Sequence, residues 1–311
     1  MPNDVYLQPD APDPVLSEEV VLSLVRRHVP DAHAVTAIDE SGGEARAYAI
    51  DAHIILKTQR PHRLRARTSL AKEVFFLNRL ASEPGMPVPR VLGYGHEGSL
   101  IEYTCMTRMP GVAMIDAVIN GPPRAVVLAD LGRMLRRIHM LPQEPFVTSG
   151  LFPRDDGSHA VRARLSEHFS EVVANIQAAA PTWTLPLPPE NVAACALAAL
   201  PDMALRAPVH SNPGPPHTFI DPATMVFTGL IDFGDAYLSH PALDLWRWAD
   251  PADRHALFHG YTAEQSVDDA FLQIWRVVQV LADLRAIAST PILGPPAQAD
   301  LWQHLSAGGW V

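Results

Sequence analysis

The sequence predicts an α+β protein of two lobes, a small antiparallel sheet with one or two helices followed by a larger, mainly helical part. Three observations carry this expectation. Short β-like runs punctuated by glycine fill residues 34–107. Apolar residues at helical spacing dominate from Gly111 onward. One β-like pair, "HTFID" and "MVFTGLID", interrupts those helices just ahead of Asp232.

The elements follow in order. Ser17 with Glu18 and Glu19 reads as a helix start, acids at the positive end of the dipole, and the Val20/Leu24 and Val21/Val25 pairs carry a helix to about residue 28. "AVTAIDESGGEARAYAIDAHIILKT" reads as two strands of a hairpin divided by Ser41, Gly42 and Gly43, the second ending on Lys57. "SLAKEVFFLNRL", residues 69–80, has an apolar stripe with Glu73 beside it, an acid that needs a partner. "VPRVLGYGHEGSLIEYTCMTRMPG" supplies further strands and ends at the Pro110-Gly111 break. Helices are then expected in "RAVVLADLGRMLRRIHML", "RLSEHFSEVVANI", "NVAACALAAL", "FLQIWRVVQVLADLRAIA" and "QADLWQHL". The lobes divide at 1–107 and 108–311.

Composition narrows the function classes. A chain of 311 residues with 48% apolar content can bury a large core, and a net charge of -10 argues against nucleic acid or an anionic membrane as the main partner. The start of the chain lacks the pattern of a signal peptide, and no apolar run has membrane-spanning length, so a cytoplasmic protein is expected. Cys105 and Cys195 read as reduced core thiols. The 14 histidines are scattered, with neither CxxC nor HExxH, and no dedicated zinc site is expected from their spacing.

A glycine loop, a strand Lys, a helical Glu and an acid following a hairpin form a parts list for phosphoryl transfer. Glycine backbone approaches phosphate closely, Lys supplies a point charge, a facing Glu orients it, and Asp offers hard oxygens to Mg²⁺. The pair "VHSNPGPPHTFID" and "TGLIDFGDAYLSHPALDL" resembles the signature of the aminoglycoside phosphotransferase and choline kinase-like family, usually HGDLHPGN, a hairpin, then IDFGD and GDPxxDL. "LKT", "KEVFFLNRL", "YTCMTRMPG" and "LGRMLRRIHML" extend the resemblance along the chain.

The resemblance implies a protein-kinase-like fold and an ATP- or GTP-dependent phosphotransferase acting on a hydroxyl of a small molecule. It implies that Gly42, Gly43 and Lys57 meet the nucleotide phosphates, that Glu73 pairs with Lys57, and that main chain at Met106, Thr107 and Met109 holds the adenine. Asp232 would bind Mg²⁺, His210 would prop the loop, and Asp244 would stabilise the helix that follows. Two departures stand out. Asn212 occupies the place of the catalytic Asp and can orient a hydroxyl without taking its proton. His217 occupies the place of a metal-binding Asn, and its nitrogen favours Mn²⁺ over Mg²⁺ or a one-metal arrangement.

His240 also replaces the usual Asp, and Asp235 is a candidate substitute acid. Asn212 keeps open a second reading, a catalytically impaired pseudokinase-like nucleotide or ligand-binding module, and a third in which the nucleotide is used differently. Trp246, Trp248 and Trp275 read as core packing, with a pocket for a cationic substrate as the alternative.

Overall fold

The computed structural model describes residues 15–39, 45–60, 69–98, 101–202 and 205–309. It divides into two compact units, Met1–Val112 with Thr228–Ala236, and Ala113–Phe227 with Tyr237–Val311. The segment carrying Asp232 therefore groups with the first unit. Gly42 and Gly43 lie outside the described residues.

The first unit opens on α1 (Glu18–Arg26), capped by Ser17 Oγ accepting from the Val20 amide at 3.4 Å. Its Val21, Leu24 and Val25 pack into a core with Tyr48, Ile50, Leu56 and Cys105 of the sheet. That sheet comprises β1 (Val35–Asp39), β2 (Ala45–Ile50), β3 (Ile54–Gln59), β4 (Val91–Glu97) and β5 (Ile101–Thr107), in the order β1-β2-β3-β5-β4 with every pair antiparallel.

The sequence expectation of one strand ending on Lys57 is corrected here, because the run is two strands, β2 and β3, joined at Asp51. That residue sits at φ 49°, and its carboxylate accepts from the His33 and Ala34 amides at 3.1 and 3.0 Å. Aspartate is among the few residues that visit the left-handed region, and here its carboxylate is fixed by amides distant in sequence, so a turn forms without glycine or proline to announce it. Between β3 and β4 lies α2 (Leu70–Ala81), which buries Phe76, Leu77 and Leu80.

At the junction stands β6 (Val112–Ala113). The second unit holds α3 (Gly121–His139), α4 (Glu144–Thr148), α5 (Gly157–Ala179) and α6 (Pro189–Ala198), followed by the short strand β7 (Ala207–Val209). Next come the hairpin strands β8 (Thr218–Asp221) and β9 (Val226–Leu230), and β10 (Tyr237–Ser239), which pairs antiparallel with β7. Three helices close the chain, α7 (Pro251–Thr262), α8 (Asp269–Ser289) and α9 (Gly294–Ala307).

Helices α3 and α7 cross through glycines. A Cβ at Gly132 would stand 2.0 Å from the Leu257 carbonyl oxygen, and one at Gly260 would stand 1.9 Å from that of Ala129. Such an approach leaves room for hydrogen only.

Cys105 is buried, and burial pushes its thiol up to about 11, the profile of an inert core sulfur. Cys195 is only partly buried. Among the described residues no helix is long and apolar enough to cross a membrane.

Candidate active site

In the first unit β3 runs between β2 and β5, with Lys57 opposite Ala47 on one side and Thr104 on the other. Lys57 is thus mid-strand, and its ammonium meets two carboxylates. Nζ is 3.0 Å from Glu73 Oε2, and it also contacts Asp232 Oδ1. Glu73 reaches it from the first turn of α2, whose apolar stripe turns that face inward; the Glu73 side chain is 2% exposed and that of Asp232 39%. One carboxylate therefore orients the ammonium from inside while the other faces solvent.

Burial alone would depress the Lys57 ammonium, but the charges of Asp232 and Glu73 outweigh it and hold its pKa above the ordinary lysine value. Burial pushes the Glu73 carboxyl up, against the opposing pull of Lys57. Asp232 adopts φ 71°. A non-glycine residue in this region is strained unless its neighbours fix it. Fixing comes from either side of it in the chain. The Leu230 amide donates to the Pro87 carbonyl at 3.1 Å, Phe233 packs at a tilt against Phe76 of α2 with centroids 4.9 Å apart, and Lys72 Nζ donates to the Ala236 carbonyl at 2.9 Å. Asp235 is half-buried in this segment.

Met106 and Met109 are buried, and around them the main chain is already engaged. The Thr107 amide donates to the Arg90 carbonyl at 2.9 Å and the Arg108 amide to that of His53 at 2.7 Å.

In the second unit the loop after β7 holds Asn212 and His217 together. Asp244 is its anchor: the His210 and Ser211 amides each donate to that buried carboxylate at 2.7 Å, and His139 Nε2 lies 3.0 Å from it. Burial would raise the Asp244 carboxyl, yet the His139 and His210 contacts keep it below the usual aspartate range. His139 is held in turn by the Tyr261 hydroxyl, 3.0 Å from Nδ1. The expectation that Asp244 stabilises the helix following it is corrected, since its oxygens serve the loop.

Further main-chain atoms of the loop are gripped as well. Arg247 Nε donates to Ser211 O at 2.8 Å and Trp248 Nε1 to Pro213 O at 3.0 Å. The His217 and Thr218 amides donate to Gly214 O at 3.0 and 3.1 Å, and the Ile115 amide to Pro215 O at 3.1 Å. Ser211 takes φ 83° within this frame. His210 Nδ1 accepts from the Asn212 amide at 3.2 Å, so His210 supports the loop from within.

His217 Nδ1 lies 2.7 Å from Asn212 O. A carbonyl can only accept, so Nδ1 donates to it, and in the neutral ring the lone pair is then on Nε2, one of the two nitrogens through which an imidazole can ligate a metal.

A cavity of about 510 Å³ between α5 and α8 is lined by His168, Glu171, Asn175, Trp246 and Arg285 among others. Arg247, which holds Ser211 O, stacks over Trp246 at 4.5 Å, and Arg285 lies over the same ring at 5.5 Å. Burial depresses the His168 imidazole first, and Arg247 adds to that effect. Trp248 and Trp275 are core residues: Arg124 covers Trp248 at 5.6 Å, and Trp275 stacks on Phe258 at 4.2 Å. Only Trp246 of the three faces this cavity, and the chain's own cations already sit over its ring.

Sequence reasoning read Trp248 as core packing but missed that Trp248, with His139 and Arg247, holds the loop, because a side chain that serves a main-chain carbonyl or a distant carboxylate carries no local motif.

Comparison with known proteins bears on family and fold. The sequence profile of the phosphotransferase enzyme family matches residues 35–281. No curated protein matches in sequence. Among solved structures, the GDP complex of wild-type aminoglycoside 2'-phosphotransferase-IIIa is similar with a TM-score of 0.61 at 13% identity, over 94% of this chain and 98% of that one. The apoenzyme of macrolide 2'-phosphotransferase MphH from Brachybacterium faecium gives 0.60 at 18% identity, over 91% and 98%. The streptomycin-ATP-APH(2")-IIa ternary complex gives 0.55 at 12% identity, over 93% and 97%. At these identities the likeness speaks to fold, a protein-kinase-like architecture with an antiparallel sheet in the N-terminal part and helices in the C-terminal part. With its family profile spanning residues 35–281, this chain belongs to the phosphotransferase enzyme family.

Proposed function

We propose that the chain is a small-molecule phosphotransferase that moves the γ-phosphoryl group of ATP or GTP to an acceptor hydroxyl. The observation that carries the reading is the Lys57 ammonium clamped by a buried Glu73 and a solvent-facing Asp232. A lysine fixed in this way presents a positioned charge to phosphate oxygens. Most of the catalysis of phosphoryl transfer lies in such positioning. The carboxylate of Asp232 suits a hard cation and would hold a Mg²⁺ that offsets charge on the phosphate oxygens. His217, in its Nε2 lone-pair tautomer, fits Mn²⁺ better than Mg²⁺. Main-chain groups at Met106, Thr107 and Met109 other than the Thr107 amide, which already donates to Arg90, would meet the adenine.

Asn212 does not take up a proton as a carboxylate would. Its amide orients the acceptor hydroxyl, whose oxygen forms the new bond to phosphorus as the bond to the nucleoside diphosphate breaks. The transition state is loose, so the hydroxyl proton departs late, to water or to the transferred phosphoryl group. Loss of a general base costs ~10²- to 10⁴-fold, which slows this transfer without abolishing it.

The cavity between α5 and α8 carries both Arg285 and Glu171 on its wall, so its charge by itself does not select among neutral, anionic and cationic acceptors.

Thermal unfolding with ATP or GTP and Mg²⁺ or Mn²⁺ tests the first step, since a ligand at 100 times its Kd adds ~2.7 kcal/mol. The absence of stabilisation by either nucleotide would refute the reading. Phosphate release across a panel of neutral, anionic and cationic acceptors then tests transfer, with Asp232→Ala as the inactive control. Asn212 itself favours a second reading, a binding module. Nucleotide binding with no turnover by either the parent or Asn212→Asp would establish it.

A further inference from the structure

His255 of α7 comes together in space with Asp300 and His304 of α9, in the second unit and apart from the loop that holds Asn212. Asp300 and His304 are four residues apart, so their side chains share one face of α9. His255 Nε2 is 3.7 Å from Asp300 Oδ1, and His304 Nε2 is 3.3 Å from Asp300 Oδ2. One ligand atom from each of the three residues lies within 4.8 Å of the other two. The His304 side chain is 9% exposed, and its Nε2 makes no hydrogen bond despite the carboxylate oxygen 3.3 Å away. Nitrogen and oxygen are close but do not meet hydrogen-bond geometry.

We propose that His255, Asp300 and His304 form a transition-metal site that takes Zn²⁺, with water in the fourth position. Tetrahedral bonds of about 2.0–2.1 Å set neighbouring ligand atoms about 3.3–3.4 Å apart. His304 Nε2 stands at that separation from Asp300 Oδ2, while His255 Nε2 approaches the other carboxylate oxygen, Oδ1, at 3.7 Å, so a small turn of the carboxylate brings one oxygen to serve both nitrogens. Two imidazoles and one carboxylate also form a donor set that zinc accepts readily and Mg²⁺ does not.

Among the described residues Arg254 competes for the carboxylate, with Nη2 3.3 Å from Asp300 Oδ2, but it also pairs with the buried Asp283, so a second carboxylate offsets it. Trp275 walls the site, its ring 5.8 Å from that of His304 and 5.9 Å from that of His255. The His255 side chain is 48% exposed and gives an ion a way in from solvent. The bound ion would clip α9 to α7. In the sequence this set is invisible, because two ligands lie within one turn of a helix and the third lies 45 residues before Asp300.

The test uses the full chain stripped with a chelator. Equilibrium dialysis with Zn²⁺ is expected to return one ion per chain, with a rise in the unfolding temperature and a change in tryptophan emission from Trp275. Co²⁺ is expected to give the visible bands of a tetrahedral site. His255→Ala changes a half-exposed residue that folding tolerates, and is expected to weaken zinc binding tenfold or more; His304→Gln should do the same where it folds. Failure of the parent to bind zinc overturns the proposal, as does unchanged affinity in His255→Ala, which would assign the ion elsewhere. None of these readouts depends on phosphotransferase activity.

Discussion

Acidification should loosen the second unit through one buried histidine. His240 is 2% exposed, its Nδ1 accepts from the Ala242 amide at 3.3 Å to cap the short turn Pro241–Asp244, and its ring lies 5.2 Å from that of Phe271. Burial, with a smaller push from His139, lowers its pKa from 6.5 to about 4, while Asp268 opposes weakly. Because the folded value lies below the unfolded one, the unfolded chain takes up the proton first. Stability from this group is whole above pH 6.5 and is lost as pH falls towards 4. Linkage with these two values gives about 2 kcal/mol lost between pH 7 and pH 5. Protonation also removes the lone pair that caps the turn, in agreement with that sign.

His240→Asn keeps a side-chain acceptor and removes the titration. Thermal unfolding of parent and variant across that range should show the parent losing several degrees more than the variant, since about 2–4 °C accompanies each kcal/mol in chains of this size. Parallel pH profiles would refute the reasoning, because the proton uptake would then belong to other groups.

Glu73→Gln leaves Asp232 facing Lys57 but removes the buried charge, and about 2–3 kcal/mol of stability should go with it, below the ~3–5 of a fully orphaned ion. Denaturant unfolding measures this, and nucleotide affinity should fall in parallel. Asp244→Asn weakens two charge-assisted bonds, of roughly 1.5–3 kcal/mol each. Hydrogen exchange should report faster opening at the His210 and Ser211 amides. Gly132→Ala and Gly260→Ala should each destabilise the α3–α7 crossing by at least the ~1–3 kcal/mol of ordinary overpacking, because the obstacle is a backbone carbonyl. Thermal unfolding or loss of soluble protein would show it.

Much of the fold is legible in residue order because local patterns encode it. The stripe of α2 with Glu73 beside it, and the hairpin ahead of Asp232, point to the cluster that forms. Where local signals are weak, the reading misses. The turn at Asp51 carries no glycine or proline. Helix α7 has no strong apolar stripe, because it packs through Gly260 on one side and Arg254 on another, and both look like surface or breaker residues in one dimension. Asp244 illustrates the limit best. Its place in a motif is visible, but what its oxygens hold depends on the distant amides of His210 and Ser211.

That anchoring has a bearing on how the loop could have changed over time. From His210 to Pro215 the grip falls on amides and carbonyls, through Asp244, Arg247, Trp248, His217 and Ile115. Backbone atoms are common to every amino acid, so position 212 can exchange an acid for an amide without disturbing the scaffold that presents it. The side chain at that point is thus decoupled from the loop's conformation. A lineage could exchange it in a single step, with no compensating change elsewhere.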